Sequence, residues 1–352
     1  MHSPSCDFAS SKLADACTRP LNKLSYFWEM IIRRKLDTFI DLFAGIGGFN
    51  LGLKPFNMKC VFSSEIDPRI AETYRKNFGH LPYGDITKIL SESIPNHDVL
   101  CGGFPCQTLS TANNLHFQRF NSGNPNKESK LYLEIIRIAK FHQPKIIFLE
   151  NVRALTFEVP HRKKFLKEFI SKFKKIGYRV HYKVLNAGDF GIPQSRKRCY
   201  FIMIRDDLDW EFEFPEPSPN DLMIRDFIDH KYNSDESLLM KKSKIEDVVD
   251  RPDIIYNHRS TILLGYADRQ YSQDRKIRSI HGHFGTVLCS ENDYIKIGNI
   301  VRRLHVNELR KFQGLPDDFI LSKSKTQARK EIGNAVIPMM IEKIFRGIID
   351  PK

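Results

Sequence analysis

Short apolar runs, each broken by glycine or an acidic residue and followed by residues at helical spacing, constrain this chain more than any other feature. Phe39-Ile40-Asp41-Leu42-Phe43 opens the series, and Cys60-Val61-Phe62, Leu81 to Ile86, Asp98 to Cys101 and Lys145 to Leu149 continue it. Between these runs, Phe49 to Leu53 opens one helix, Ile70, Tyr74 and Phe78 mark a second, and Leu131, Ile135 and Ile138 a third. Asp67-Pro68 reads as the cap and first turn of the second helix. Alternation of this kind predicts an α/β fold, with a mostly parallel, doubly wound sheet covered by helices on both faces. In such sheets ligands bind beyond the carboxyl ends of the strands, so the residues that end each run carry the functional argument.

The chain has 352 residues, of which 41% are hydrophobic, enough for one large α/β domain and a smaller one. Phe214-Pro215-Glu216-Pro217-Ser218-Pro219 cannot continue a central strand and reads as a linker. The segment beyond it is polar, charged and without clear alternation until Val301. The expected organisation is therefore an N-terminal extension over 1–35, a catalytic domain over 36–220, a small module over 221–300 and a return to the large domain over 301–352. Residues 161–179 are strongly basic, with Phe165, Phe169, Phe173 and Ile176 at helical spacing, which reads as a core stripe under a solvated lysine face.

Lys and Arg number 55 against 42 Asp and Glu, and the net charge of +13 points to a polyanionic partner such as nucleic acid. The seven cysteines have no paired spacing, which suits a reducing cytoplasm rather than a disulfide framework. No Cys-x-x-Cys or His-x-x-x-His set suggests a metal, no run is long enough to cross a membrane, and residues 1–35 lack the layout of a signal peptide.

Two strand ends bear on a cofactor. Asp41-Leu42-Phe43-Ala44-Gly45-Ile46-Gly47-Gly48 turns from the first strand into a helix, and its glycines allow close backbone approach to a ligand. Asn50 stands where the dinucleotide fingerprint G-x-G-x-x-G has its last glycine, which favours a nucleoside over a pyrophosphate. Glu65 ends the second run and is placed to accept both ribose hydroxyls, and Asp85 could accept from an adenine amine. A third strand end, Gly102-Gly103-Phe104-Pro105-Cys106-Gln107, delivers one cysteine to the same edge of the sheet.

These segments resemble the DNA (cytosine-5) methyltransferases of bacterial restriction–modification systems. The match runs from about 36 to 345 through Asp41 to Gly48, Ser64-Glu65-Ile66-Asp67, Gly84-Asp85-Ile86, Phe104 to Gln107, Glu150-Asn151-Val152, Asn186 to Arg198, Arg302 to Pro316 and Gly333-Asn334-Ala335-Val336. The resemblance implies a Rossmann-like S-adenosylmethionine-dependent fold with a target-recognition domain. It implies Phe43 stacked on the adenine, Asp85 and Ile86 framing it, and Leu131, Asn334 and Ala335 closing around the methionine moiety.

Cys106 would add to carbon 6 of a flipped cytosine, making carbon 5 nucleophilic. Glu150, beside apolar Phe148 and Leu149, would donate a proton to the ring. Arg196 would hold the cytosine carbonyl oxygen, with Arg198 bracing the loop. Gln107 and Ser110 would touch the DNA backbone, and Arg259, Arg278 and Thr286 would contact duplex DNA from the small module. Two positions depart from the pattern: Leu109 replaces a common aromatic, and Lys130 a small polar residue. The implied protein is a monomer that acts on double-stranded DNA alongside a cognate endonuclease. A tRNA cytosine-5 methyltransferase is the rival within the class, and the Cys-Phe-Thr signature of that branch is absent. A non-catalytic DNA-binding protein on the same fold would have lost the nucleophile, the acid or the cofactor loop.

Overall fold

The computed structural model describes residues 34–105, 131–218, 221–240, 263–266, 276–289 and 294–350. One compact unit spans Asp37–Lys352. Its main sheet contains β1 (Thr38–Leu42), β2 (Lys59–Ser64), β3 (Val99–Gly102), β4 (Ile146–Val152), β5 (Tyr178–Asn186) and β6 (Lys197–Arg205), in the order β2-β1-β3-β4-β6-β5. The pairs β1–β2, β1–β3 and β3–β4 are parallel, and β6 runs antiparallel to both β4 and β5. The sheet is mostly parallel, with one reversed strand, as the alternation predicts.

Successive side chains of a strand point to opposite faces, and the core follows that rule. Ile147 and Leu149 of β4, with Cys199, Phe201 and Met203 of β6, pack into a cluster with Phe169 and Phe173. Those two phenylalanines belong to a helix over Pro160–Lys174, whose lysines 163, 164, 167, 172 and 174 are exposed, so the apolar stripe is core. From the other face of β4, Phe148 meets Phe49 edge-on at 5.2 Å. Phe49 lies in α1 (Gly48–Leu53), which crosses the last helix (Pro338–Ile349) so closely that a Cβ on Gly52 would sit 2.6 Å from the Pro338 carbonyl oxygen. In chain order the helices are α1, α2 (Pro68–Phe78), α3 (Tyr132–His142), α4 (Pro160–Lys174), α5 (Val306–Phe312), α6 (Lys325–Asn334) and α7 (Pro338–Ile349).

One local expectation is revised. Leu81 to Ile86 is not a strand: only Tyr83 bridges Ser64, because Pro82 has no N–H for a ladder, and Asp85 instead caps a short 3-10 turn by accepting from Thr87 N at 3.0 Å. The proline-rich segment is tied back to neighbouring residues. Ser218 N donates to Asp189 O, Glu216 pairs with Lys183 at 3.0 Å, and Glu213 lies under Gly347. The second sheet, of β7 (Leu263–Tyr266), β8 (Lys276–Ser279), β9 (Tyr294–Ile297) and β10 (Ile300–Arg303), ends three residues past position 300. The fully buried Arg302 of β10 pairs with both oxygens of Glu308 in α5 at 2.8 Å and donates to Asn233, joining the small sheet to the C-terminal helices.

Candidate active site

The turn after β1 is built from left-handed backbone. Phe43, Gly45 and Gly47 have φ of 57°, 55° and 90°. Gly45 and Gly47 adopt this region without cost, whereas Phe43 is strained there, a condition that clusters at ligand sites. A Cβ on Gly45 would meet nothing within 4 Å, so that side of the loop is open. Gly48 is the opposite case: a Cβ there would lie 2.4 Å from the Val336 carbonyl oxygen, so the helix start and the segment after α6 touch through backbone.

Glu65 stands at the end of β2 with its carboxylate fixed. One oxygen accepts from Gly45 N at 3.0 Å and the other from Asp67 N at 2.9 Å. Burial raises its pKa above the usual carboxylate range, against the lowering effect of those bonds. Ile66 beside it is 71% exposed. Asp41 is completely buried, and neither of its oxygens has a hydrogen-bond partner among the described residues. Desolvation first, and the charge of Glu65 second, push its carboxyl well above the usual range.

The second half of the site lies at the ends of β3 and β4. Gly103 follows β3, and a Cβ there would be 3.7 Å from a Glu150 oxygen and 3.5 Å from the Val336 side chain. Glu150, 9% exposed, pairs with Arg198 at 3.0 Å. The expected surroundings of Glu150 are corrected here. Leu149 belongs to the main core cluster and Phe148 packs on Phe49, so the neighbour of the carboxylate is a guanidinium.

Asn151, next in sequence, donates from its amide to Phe104 O at 3.1 Å and fixes the turn that leads to Cys106. Sequence reasoning missed this role. Its only signal was a polar residue beside an apolar run, which when buried needs a hydrogen-bond partner.

The two arginines have different partners. Arg196 is 3% exposed and donates to three backbone carbonyls, of Val287 at 3.1 Å and of Gly333 and Ala335 at 3.0 Å each. These three bonds tie Arg196 to the protein interior, while Arg198 stands at Glu150. Burial pulls the Arg196 pKa down to about 9.

Gln194 works beside Arg196, donating to Phe312 O and accepting from Val287 N, each within 2.9 Å. Thr286, expected at DNA, donates its hydroxyl to Ser195 O at 2.8 Å. Arg278, also expected at DNA, lies on a strand of the small sheet and is 8% exposed. Asn334 is exposed at the end of α6 and accepts from the Cys289 thiol at 2.7 Å. Ile86 is buried in the main core and Leu131 half-buried before α3. Cys106, Gln107, Ser110 and Arg259 lie outside the described residues.

Comparison with known proteins supplies the family. Residues 38–350 match the model of C-5 cytosine-specific DNA methylases. The type II methyltransferase M.HhaI of Haemophilus parahaemolyticus is 34% identical over 325 residues, covering 88% of this chain and 93% of that protein. M.HaeII of Haemophilus aegyptius is 36% identical, over 88% of this chain and 92% of its own length. Among solved structures, the Entamoeba histolytica methyltransferase EhMeth superposes with a TM-score of 0.69 at 20% identity, covering 90% of this chain and 99% of that one. The S. pombe Dnmt2 methyltransferase gives 0.68 at 17% identity, over 90% and 99% respectively, and both are similar in fold. With a glycine turn, a fixed carboxylate and a paired glutamate at successive strand ends, and a match over nearly the whole compact unit, the chain belongs to the C-5 cytosine-specific DNA methylases.

Proposed function

We propose that the chain methylates carbon 5 of a cytosine flipped out of duplex DNA, through a covalent adduct of Cys106, as the modification partner of a restriction endonuclease in the cytoplasm. The meeting of Glu150, Arg198, Gly103 and Val336 at the ends of β3 and β4 carries the reading, because it sets an acid and a cation beside the turn that continues into Cys106.

The residues fit S-adenosylmethionine. Glu65 holds two oriented carboxylate oxygens, Gly45 leaves open space on its free side, and Asp41 is buried without a partner among the described residues. Phe43, Ala44, Gly45, Gly47 and Gly48 would line the turn. Glu65, Ile66, Asp85 and Ile86 would hold the nucleoside, and Leu131, Asn334 and Ala335 would close over the methionine part. When bound, this cofactor supplies an electrophilic methyl group on a sulfonium.

The rest is the work of the chain itself. The Cys106 thiolate adds to carbon 6 of the ring while Glu150 donates a proton to the ring nitrogen, which leaves carbon 5 enamine-like. Arg198, already fixed on Glu150, takes the place at the cytosine carbonyl oxygen that was first expected of Arg196. After methylation, loss of the proton on carbon 5 returns the electrons that expel the cysteine sulfur. A base inside a duplex cannot reach a thiolate, so extrusion is required. The names of the relatives, type II methyltransferases, support a role in shielding host DNA from a partner nuclease.

The test is methyl transfer to plasmid DNA by the wild type and by Cys106→Ser, with binding of S-adenosylhomocysteine as control. Transfer is expected to disappear in the variant while binding survives. Undiminished transfer, or transfer to tRNA and not to plasmid DNA, overturns the reading.

A further inference from the structure

The segment that carries Asp85 and Ile86 runs beside the end of β2. Tyr83 N donates to Ser63 O, and Glu65 N donates to Tyr83 O, each at 2.8 Å. Tyr83 bridges Ser64, so Glu65 and Asp85 leave the same margin of the sheet side by side. Asp85 Oδ1 then accepts from Thr87 N at 3.0 Å and from Thr87 Oγ1 at 2.8 Å, turning the chain into the short helix Ile86–Lys88. Past the single bridge at Tyr83, no strand pairing holds this segment among the described residues.

Arg137 of α3 holds it instead. Its Nη2 donates to Ile86 O at 3.2 Å and to Ile89 O at 3.0 Å, and its Nη1 donates to Ser91 Oγ at 2.7 Å. Nε donates to Glu134 at 2.8 Å, which fixes the guanidinium on its own helix. One planar fork therefore gathers three acceptors spread from 86 to 91, a task that the single ammonium of a lysine cannot match. Further along α3, His142 Nε2 meets Ser91 O at 2.9 Å and closes the far end of the same segment.

We propose that Arg137 is a positioning residue for cofactor specificity. By gripping residues 86–91 it sets the Asp85 carboxylate where it accepts from the exocyclic amine of adenine, so that the site rejects a purine without that donor. This rests on the S-adenosylmethionine reading above and names how its base is chosen.

The test compares two ligands by calorimetry on the full chain: S-adenosylhomocysteine and S-inosylhomocysteine, which has a carbonyl oxygen in place of the amine. Melting temperature is followed in parallel. The wild type is expected to prefer the adenine compound by at least about tenfold, the worth of one hydrogen bond to a charged acceptor. Arg137→Lys keeps the charge but loses the fork, and its preference is expected to fall to about threefold or less as most of that bond is lost. An arginine that only stabilises the fold would lower the melting temperature and weaken both ligands by the same factor. An unchanged preference in Arg137→Lys therefore overturns the proposal.

Asp85→Asn is expected to remove the preference by itself, and adding Arg137→Lys to it should change the ratio no further, because the two residues act through one contact. A second drop of the same size in the double variant overturns the proposal. Should Arg137→Lys not fold, Ser91→Ala removes the Nη1 bond alone and is expected to lower the preference in part; full preference there overturns the proposal as well. A wild type that binds neither ligand sinks the cofactor reading beneath. One that binds both equally removes Asp85 from recognition of the base, and this inference with it. One whose preference survives in the variants sinks this inference alone.

Discussion

Asp41 shows how one side chain can be poorly accommodated by the fold and still be placed for function. It lies in β1, paired in register with Ser63 on one side and Cys101 on the other, and its carboxyl has no partner among the described residues. Its charge also helps push the Cys60 thiol up to about 12, after burial itself. Because the folded-state pKa is raised, the protonated acid is the form the fold tolerates. Its contribution is fully present below the unfolded value near 3.8 and is lost as pH rises through the elevated folded value. Asp41→Asn cannot ionise, so the cofactor-free variant is expected to gain melting temperature over the wild type as pH rises, with the gap closing toward acid. Parallel melting curves from acid to alkaline pH would refute this. Affinity for S-adenosylhomocysteine, measured in the same series, is expected to fall if Asp41 takes part in holding the cofactor.

At the scale of elements, the site is a meeting of strand ends, and two cross-connections hold those ends in place. Glu65 ties the end of β2 to the turn after β1, and Asn151 ties the end of β4 to the turn after β3. Replacing Asn151 by alanine leaves the Phe104 carbonyl buried without its donor, a loss of about 1–3 kcal/mol in stability. It also frees the backbone at Phe104, two residues before Cys106 in sequence. The turnover number is expected to drop by roughly tenfold, the size of a ~1.4 kcal/mol positioning loss, with S-adenosylhomocysteine affinity unchanged. Equal turnover in wild type and variant would show that the turn is held by other means.

The strand ends themselves were legible in the sequence, since Asp41 to Gly48, Glu65 and Glu150 each close an apolar run. What was not legible depends on contacts far along the chain. Arg196 and Arg198 differ only by one step of a nascent strand, and nothing local says that one will meet Val287, 91 residues on, while the other meets Glu150. Leu81 to Ile86 has strand composition but lies at a sheet margin with a proline where a donor is needed, so only a single bridge forms. Arg278 has a charge that suggested DNA contact and a place in β8 that buries it.

At the scale of the whole molecule, the question is where the excess charge of +13 acts. Five exposed lysines lie on α4, whose Phe169 and Phe173 face the core. That pattern is the ordinary one for an amphipathic helix, and the proposed function gives α4 no part in its DNA-binding cleft. If the cleft neutralises ~6 phosphates, the logarithm of DNA affinity should fall with the logarithm of salt concentration at a slope near −5. Lys167→Glu with Lys172→Glu reverses two charges on α4 outside the cleft, so the double variant is expected to keep the same slope, with only a uniform loss of affinity from the weaker overall field. A slope near zero in the wild type would remove the DNA cleft from the account. A slope that becomes shallower by about 2 in the double variant would move the phosphate contacts onto α4, since each phosphate neutralised contributes close to one to the slope.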